Sequence, residues 1–174
     1  MNKEQYIIEN QESFELEDIF ECGQCFRWNK EENGSYTGVV KDAVINVQKD
    51  GNKVIFSGCS NQRKLKDIVR DYFDLDTDYN ELKNKLSKID ENLKAATKFG
   101  SGIRILNQDL WECIISFIIS ANNNIPRIKK IIEKISFNYG QKIELNGKEY
   151  YAFPTPEELS KASIENLRNM RSWI

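Results

Sequence analysis

Three stretches hold residue types whose spacing could do chemistry: Cys22-Gly23-Gln24-Cys25, the alternating Asp74, Asp76 and Asp78, and Asn122-Asn123-Asn124 with Arg127 close behind. A CxxC pair can serve as a redox dithiol or as half of a zinc site. The redox form opens a helix, whose dipole lowers a thiol pKa, whereas here Phe26-Arg27-Trp28 follows with strand character. A four-cysteine zinc site would have to recruit the isolated Cys59 and Cys113 without a second CxxC. The Asp run begins like a calcium loop, but Tyr79 stands where that loop turns on Gly and Lys85 where it needs a bidentate Glu. A solvated turn, with Asp78 or a neighbour capping the next helix, is the better reading. The Asn triplet falls in a short connection between two apolar segments, just ahead of a basic helix face. Carboxamides donate and accept at base edges, and an Arg one turn into a helix can make a bidentate base contact. The cluster therefore suits nucleic acid, with a helix cap plus ordinary surface as its alternative.

The chain contains no His, which removes Ser/His and Cys/His triads, histidine-ligated zinc and an imidazole general base. Neither a metal nor a cofactor is expected. Four scattered cysteines do not make the disulfide framework of a small secreted domain, so free thiols are the reading.

The elements that must position these residues fall into two parts. Up to about residue 60 the pattern is that of strands, with Phe26-Arg27-Trp28, Tyr36 to Val40, Val44 to Val47 and Lys53 to Phe56 separated by turns at Glu32-Asn33-Gly34-Ser35 and Asp50-Gly51-Asn52. That spacing predicts an antiparallel meander. From Asn61 the apolar period becomes helical, with Leu65, Ile68, Val69, Tyr72 and Phe73 on one face and then Tyr79, Leu82 and Leu86 on the next. A third helix is predicted from Asp109 to Ala121, where Leu110, Trp111, Ile114, Phe117, Ile118 and Ala121 read as a buried stripe. A further helix should start after Asn124, with Pro126 in its first turn, an apolar side of isoleucines and a basic side of Arg127, Lys129, Lys130 and Lys134. Thr155-Pro156 and Ser163-Ile164 mark two more helix starts. The prediction is thus a strand-rich part over 1–97 and an all-helical part over 98–174.

With 40% hydrophobic and 30% charged residues and no apolar run near the roughly 18 of a membrane span, the composition is that of a water-soluble chain with no membrane partner. Its polar start points to the cytoplasm. The net charge of −2 hides an asymmetry: residues 1–97 carry 14 Lys+Arg against 19 Asp+Glu, and residues 98–174 carry 11 against 8. A phosphate-binding surface belongs in the second part.

Taken together, Gly23-Gln24 before Phe26-Arg27-Trp28, and Glu112-Cys113 leading through Ser116-Phe117-Ile118 to Asn122-Asn123-Asn124-Ile125 and Arg127, resemble the 8-oxoguanine DNA glycosylase/AP lyase family. The similarity continues through Gly140, Tyr150, Phe153-Pro154 and Leu167-Arg168. It implies an α+β chain, with an N-terminal antiparallel sheet and helices like half of TATA-binding protein, followed by the first helices of an all-α, helix-hairpin-helix glycosylase domain. It also implies roles. Glycosylases extrude their target nucleotide, leaving a gap and an unpaired partner base. By resemblance Asn122 enters that gap, with Asn123 and Asn124 completing the DNA-binding triplet, and Arg127 reads the orphaned cytosine. Gly23 offers its carbonyl to N7–H of 8-oxoguanine, and Phe117 lines the base pocket.

The expected partner is double-stranded DNA with 8-oxoguanine opposite cytosine, bound by a monomer associated with the nucleoid. After Leu167-Arg168-Asn169-Met170 the family continues to a Gly-containing turn and a Tyr-Arg pair, whereas here Arg171-Ser172-Trp173-Ile174 follows. The Lys and Asp of the chemistry would then lie beyond Ile174, and residues 1–174 read as a truncated form without catalytic groups, inactive alone. A non-catalytic DNA-binding or partner-binding remnant is the alternative, and a CxxC redox module a weaker one.

Overall fold

The computed structural model describes residues 3–9, 13–60 and 62–172; Trp173 and Ile174, part of the departure from the family pattern, lie outside them, as do Met1, Asn2 and Asn61. In chain order the elements are β1 (Glu4–Ile8), α1 (Leu16–Phe20), β2 (Trp28–Lys30), β3 (Tyr36–Val40), β4 (Ala43–Asp50), β5 (Lys53–Ser60), α2 (Leu65–Tyr72), α3 (Tyr79–Leu86) and α4 (Glu91–Phe99). Then come α5 (Leu110–Ser120), α6 (Ile125–Tyr139), β6 (Lys142–Leu145), β7 (Lys148–Tyr151), α7 (Pro156–Leu159) and α8 (Ile164–Ser172).

The predicted meander is present, in the sheet order β1-β5-β4-β3-β2 with every pair antiparallel. Strand alternation sorts its side chains into two layers. Tyr36, Val40, Ala43, Ile45, Val47, Val54 and Phe56 face the main core, which α1 and α2 close with Leu16, Ile19, Phe20, Leu65, Ile68, Val69 and Tyr72. Val39, Val44 and Cys59 face the opposite way. Inside the main core, Trp28 stacks on Phe20 with ring centroids 4.3 Å apart and donates its indole N–H to the Tyr72 hydroxyl at 3.0 Å. Three elements of this part were not predicted, one of them α4. β1 pairs its backbone with β5, and α1 is a five-residue helix whose apolar Leu16, Ile19 and Phe20 are too few to show a period.

The second part differs from an all-helical one. Lys142-Ile143-Glu144-Leu145 and Lys148-Glu149-Tyr150-Tyr151 form a hairpin around Asn146-Gly147, both at positive φ, 53° and 75°. This is the Asn-Gly turn whose twist matches paired strands. The hairpin forms because the outer sheet layer needs a cover, and Ile143 and Leu145 pack on Val39, Val44 and Cys59. The connection from α4 to α5 runs back across the first part: Leu106 enters the main core, and Arg104, only 3% exposed, reaches the backbone carbonyls of Phe73, Ser13, Asp74 and Thr77. The Asp run is a turn. Asp78 caps α3 by accepting the Glu81 N–H at 2.9 Å, Asp74 accepts from Thr77 and Tyr79 hydroxyls, and Asp76 pairs with Arg70.

Candidate nucleic-acid interface

Gly23 lies in an exposed bend just after α1, with φ +84°, a backbone state that L side chains rarely adopt. Gln24 fixes the bend. Its side-chain N–H groups donate to the carbonyls of Ile19 and Arg104 at 2.9 and 2.8 Å, and its Oε1 accepts the Leu106 N–H at 3.0 Å. The Gln24 carbonyl in turn accepts from the side chain of Gln108 at 2.6 Å. The position of Gly23 is therefore set by the crossing segment as much as by α1.

The CxxC pair follows the C-terminal end of a helix, where the dipole gives a thiolate no support. Cys25 is buried, and desolvation pushes its thiol up to about 12, with a further push from neighbouring Cys22. A thiol held protonated in this way is a poor redox nucleophile.

The Asn triplet forms the corner between α5 and α6. Asp109 caps the start of α5 by accepting the N–H groups of Trp111 and Glu112. At the other end Asn122 turns the chain with φ 52°, and its residue surface is exposed. Asn123 donates from its side chain to the Ile119 carbonyl at 3.1 Å and accepts the Asn124 N–H at 3.0 Å. Asn124 caps α6, accepting the Arg127 N–H at 3.1 Å, with Pro126 in the first turn. Two of the three carboxamides thus build the corner, and Asn122 is the one presented by it. Arg127 is half-buried in the first turn of α6.

A sequence model of the 8-oxoguanine DNA glycosylase N-terminal domain matches residues 6–114. The chain belongs to this family. An N-glycosylase/DNA lyase of Saccharomyces cerevisiae is 35% identical over 169 residues, covering 89% of this chain and 45% of that protein. The crystal structure of Clostridium acetobutylicum 8-oxoguanine glycosylase/lyase in its apo form superposes with a TM-score of 0.89 at 46% identity, over 97% of this chain and 59% of the other. The same enzyme in complex with double-stranded DNA containing cytosine opposite 8-oxoguanine matches equally, with a TM-score of 0.89, over 98% of this chain and 59% of that one. The chain thus spans roughly half to three-fifths of the lengths of these relatives.

In this 8-oxoguanine glycosylase-family chain the Gly23 bend is tied to the start of α5, and the Asn triplet follows its end. The 11 residues between put them about 16 Å apart along the helix axis. Phe117 and its neighbours correct the sequence reading. Leu110, Ile114, Phe117 and Ile118, predicted as a buried stripe, are exposed, Phe117 by 79%. The face turned inward instead carries Glu112, Ile115, Ser116 and Ile119. The helix is apolar nearly all round, so its periodicity did not select a face, and the small Ser116, buried at 7%, marks the inner side.

Two side chains that join the halves of the site went unassigned in the sequence. Arg27 donates to the Ser136 hydroxyl and the Tyr151 carbonyl, linking the Gly23 bend to α6 and β7. Desolvation lowers its pKa, while Glu112, Glu133 and Tyr72 oppose that shift. Lys129 donates to the Trp28 carbonyl at 2.7 Å. The basic face of α6 offered a signal for Lys129, whereas nothing local marks Arg27 as a bridge to α6 and β7.

Proposed function

We propose that residues 1–174 supply the lesion-recognition part of a DNA glycosylase with AP lyase activity, which removes 8-oxoguanine paired with cytosine and cleaves the abasic strand through a lysine imine. In this reading the protein works as a monomer on double-stranded DNA, in the cytoplasm at the nucleoid. The observation that carries it is the α5–α6 corner, where Asn122 stands exposed at positive φ while Asn123 and Asn124 are spent on the backbone and Arg127 opens the following helix. A flipped nucleotide leaves a gap that a short, rigidly presented carboxamide can occupy, and an arginine one turn on can hydrogen-bond the widowed base. Gly23, without a side chain and held by Gln24, allows close approach of a backbone carbonyl to the extruded base. Membership of the family and the similarity to the Clostridium acetobutylicum 8-oxoguanine glycosylase/lyase support the assignment of substrate.

Imine chemistry requires a lysine of lowered pKa with a carboxylate near it to move protons. The family resemblance assigns both to sequence beyond Ile174. Residues 1–174 alone are accordingly expected to give no borohydride-trapped adduct with an abasic duplex, and trapping that maps to one lysine within them would overturn that assignment. In a protein joined to a family-like downstream segment, Arg127→Ala should weaken discrimination for cytosine opposite the lesion by about 1–3 kcal/mol. Equal loss against all four opposing bases would reduce Arg127 to a phosphate contact and sink the proposed reading of the orphaned base.

A further inference from the structure

We propose that the cleft between β2–β3, the stretch of α6 from Lys129 to Phe137 and β7 is a second nucleotide-binding site, apart from the Asn122 corner. The cleft encloses about 440 Å³, within the range of small-molecule sites, and no residue from 122 to 127 lines it. Four lysines do: Lys129, Lys130, Lys134 and Lys148. None of these ammonium groups forms a salt bridge among the described residues. Concentrating unneutralised cations in one concave place, within a chain of net charge −2, costs self-repulsion that an anionic ligand would relieve. Of the two acids in the lining, Glu149 is already paired with Lys142 of β6, and Glu133 forms no salt bridge with the four lysines.

The second component is aromatic. Phe137 is 60% exposed on this otherwise basic side of α6 and meets Tyr151 edge to face, with centroids 4.9 Å apart at 70°. Lysines beside exposed rings are the combination that holds a nucleotide: point charges for the phosphate, and a ring surface for any base. A plain polyanion would make no use of the rings, and an apolar ligand none of the lysines. The walls are also braced before any ligand arrives. Arg27 ties the strand side to Ser136 on α6 and to the Tyr151 carbonyl on β7, and Lys129 ties α6 to the Trp28 carbonyl. Lysine ammonium groups are point charges without the guanidinium fork that reads base edges, and they imply contact without base selection. The nucleotide can come free in solution or as a unit of a single DNA strand, and the two sources bind through the same chemistry.

Three probes separate these sources on the purified chain: deoxyadenosine monophosphate, inorganic pyrophosphate, and a fluorescein-labelled eight-residue oligothymidylate followed by anisotropy. Lys130→Glu/Lys134→Glu, at side chains that make no hydrogen bond or salt bridge among the described residues, should weaken oligothymidylate binding at least tenfold. It should also flatten its log–log salt dependence by about 1.4, or about 0.7 per phosphate contact on a single strand. Phe137→Leu keeps an apolar group against Tyr151 but removes the ring, and should cost about fivefold or more. Lys88→Glu/Lys98→Glu makes the same charge change on exposed positions of the α3–α4 region and should cost less than twofold. Competition by the monophosphate identifies a free nucleotide as sufficient, and its absence assigns the site to a strand. The proposal is overturned if the wild-type chain binds none of the probes, if the two double variants lose affinity equally, or if pyrophosphate binds as well as the nucleotide and Phe137→Leu changes nothing.

Discussion

Replacing Arg104 with Met tests how the crossing segment holds the Gly23 bend. The guanidinium is buried and reaches four backbone carbonyls: Phe73 at 2.9 Å, Asp74 at 2.6 Å, Thr77 at 3.2 Å and Ser13 at 3.4 Å. It also lies 4.1 Å from the ring centroid of Tyr79. Met fills similar length without a donor. The Asp74 and Thr77 carbonyls are near enough to the surface to be rehydrated, so they contribute little to the loss. The Phe73 and Ser13 contacts are buried, and each carbonyl left unsatisfied costs about 1–3 kcal/mol. Removing a buried charge returns part of its own desolvation cost. The balance is a loss of about 2–4 kcal/mol, a large share of the roughly 5–15 kcal/mol that holds a domain together. Urea unfolding followed by tryptophan fluorescence measures it directly, because Trp28 is buried against Phe20. Hydrogen exchange supplies a second readout. The Leu106 N–H, bonded to Gln24 Oε1, should exchange faster in the variant while amides in the middle of β4 change only by the global amount. A loss below about 1 kcal/mol with an unchanged Leu106 amide would refute the account of Arg104 as the anchor of this segment.

Two further outcomes follow from the packing. Gly38→Ala puts a Cβ 2.4 Å from Trp28 Cδ2, against a ring that has no room to move, so thermal unfolding should drop by roughly 2–12 °C for an overpacking cost of about 1–3 kcal/mol; an unchanged melting temperature would contradict it. At pH 8 iodoacetamide should label exposed Cys22 and spare buried Cys25 until the chain is unfolded. The Cys25 thiol is raised from 9.0 to about 12 in the fold, so its stabilising contribution is complete below pH 9 and lost as pH rises toward 12. Cys25→Ala should flatten the stability profile over that window, and an equally steep decline in the variant would remove Cys25 as its cause.

The sequence by itself determined what is written in local chemistry. Strand alternation with turn residues fixed the β2–β5 meander, and caps such as Asp78, Asp109, Asn124 and Thr155 marked four helix starts because each side chain satisfies backbone N–H groups within its own turn. The Asn triplet was legible for the same reason, being a corner made from adjacent residues, and the family resemblance rested on motifs that need no tertiary knowledge. Only the tertiary structure decided which face of α5 turns inward, since a helix apolar on all sides carries no preferred side. It also decided that Arg27 and Arg104, ordinary surface residue types, would reach inward to groups contributed by distant stretches, Arg27 to Ser136 and Tyr151 and Arg104 to four backbone carbonyls. The β6–β7 hairpin lies between these cases: Asn146-Gly147 is local turn chemistry that the all-helical reading of 98–174 passed over, and its flanking strands become a layer only where Val39, Val44 and Cys59 leave the outer face of the sheet to be covered. Sequence fixes interactions that close within a few residues; those that close across the chain depend on which surfaces the fold brings together.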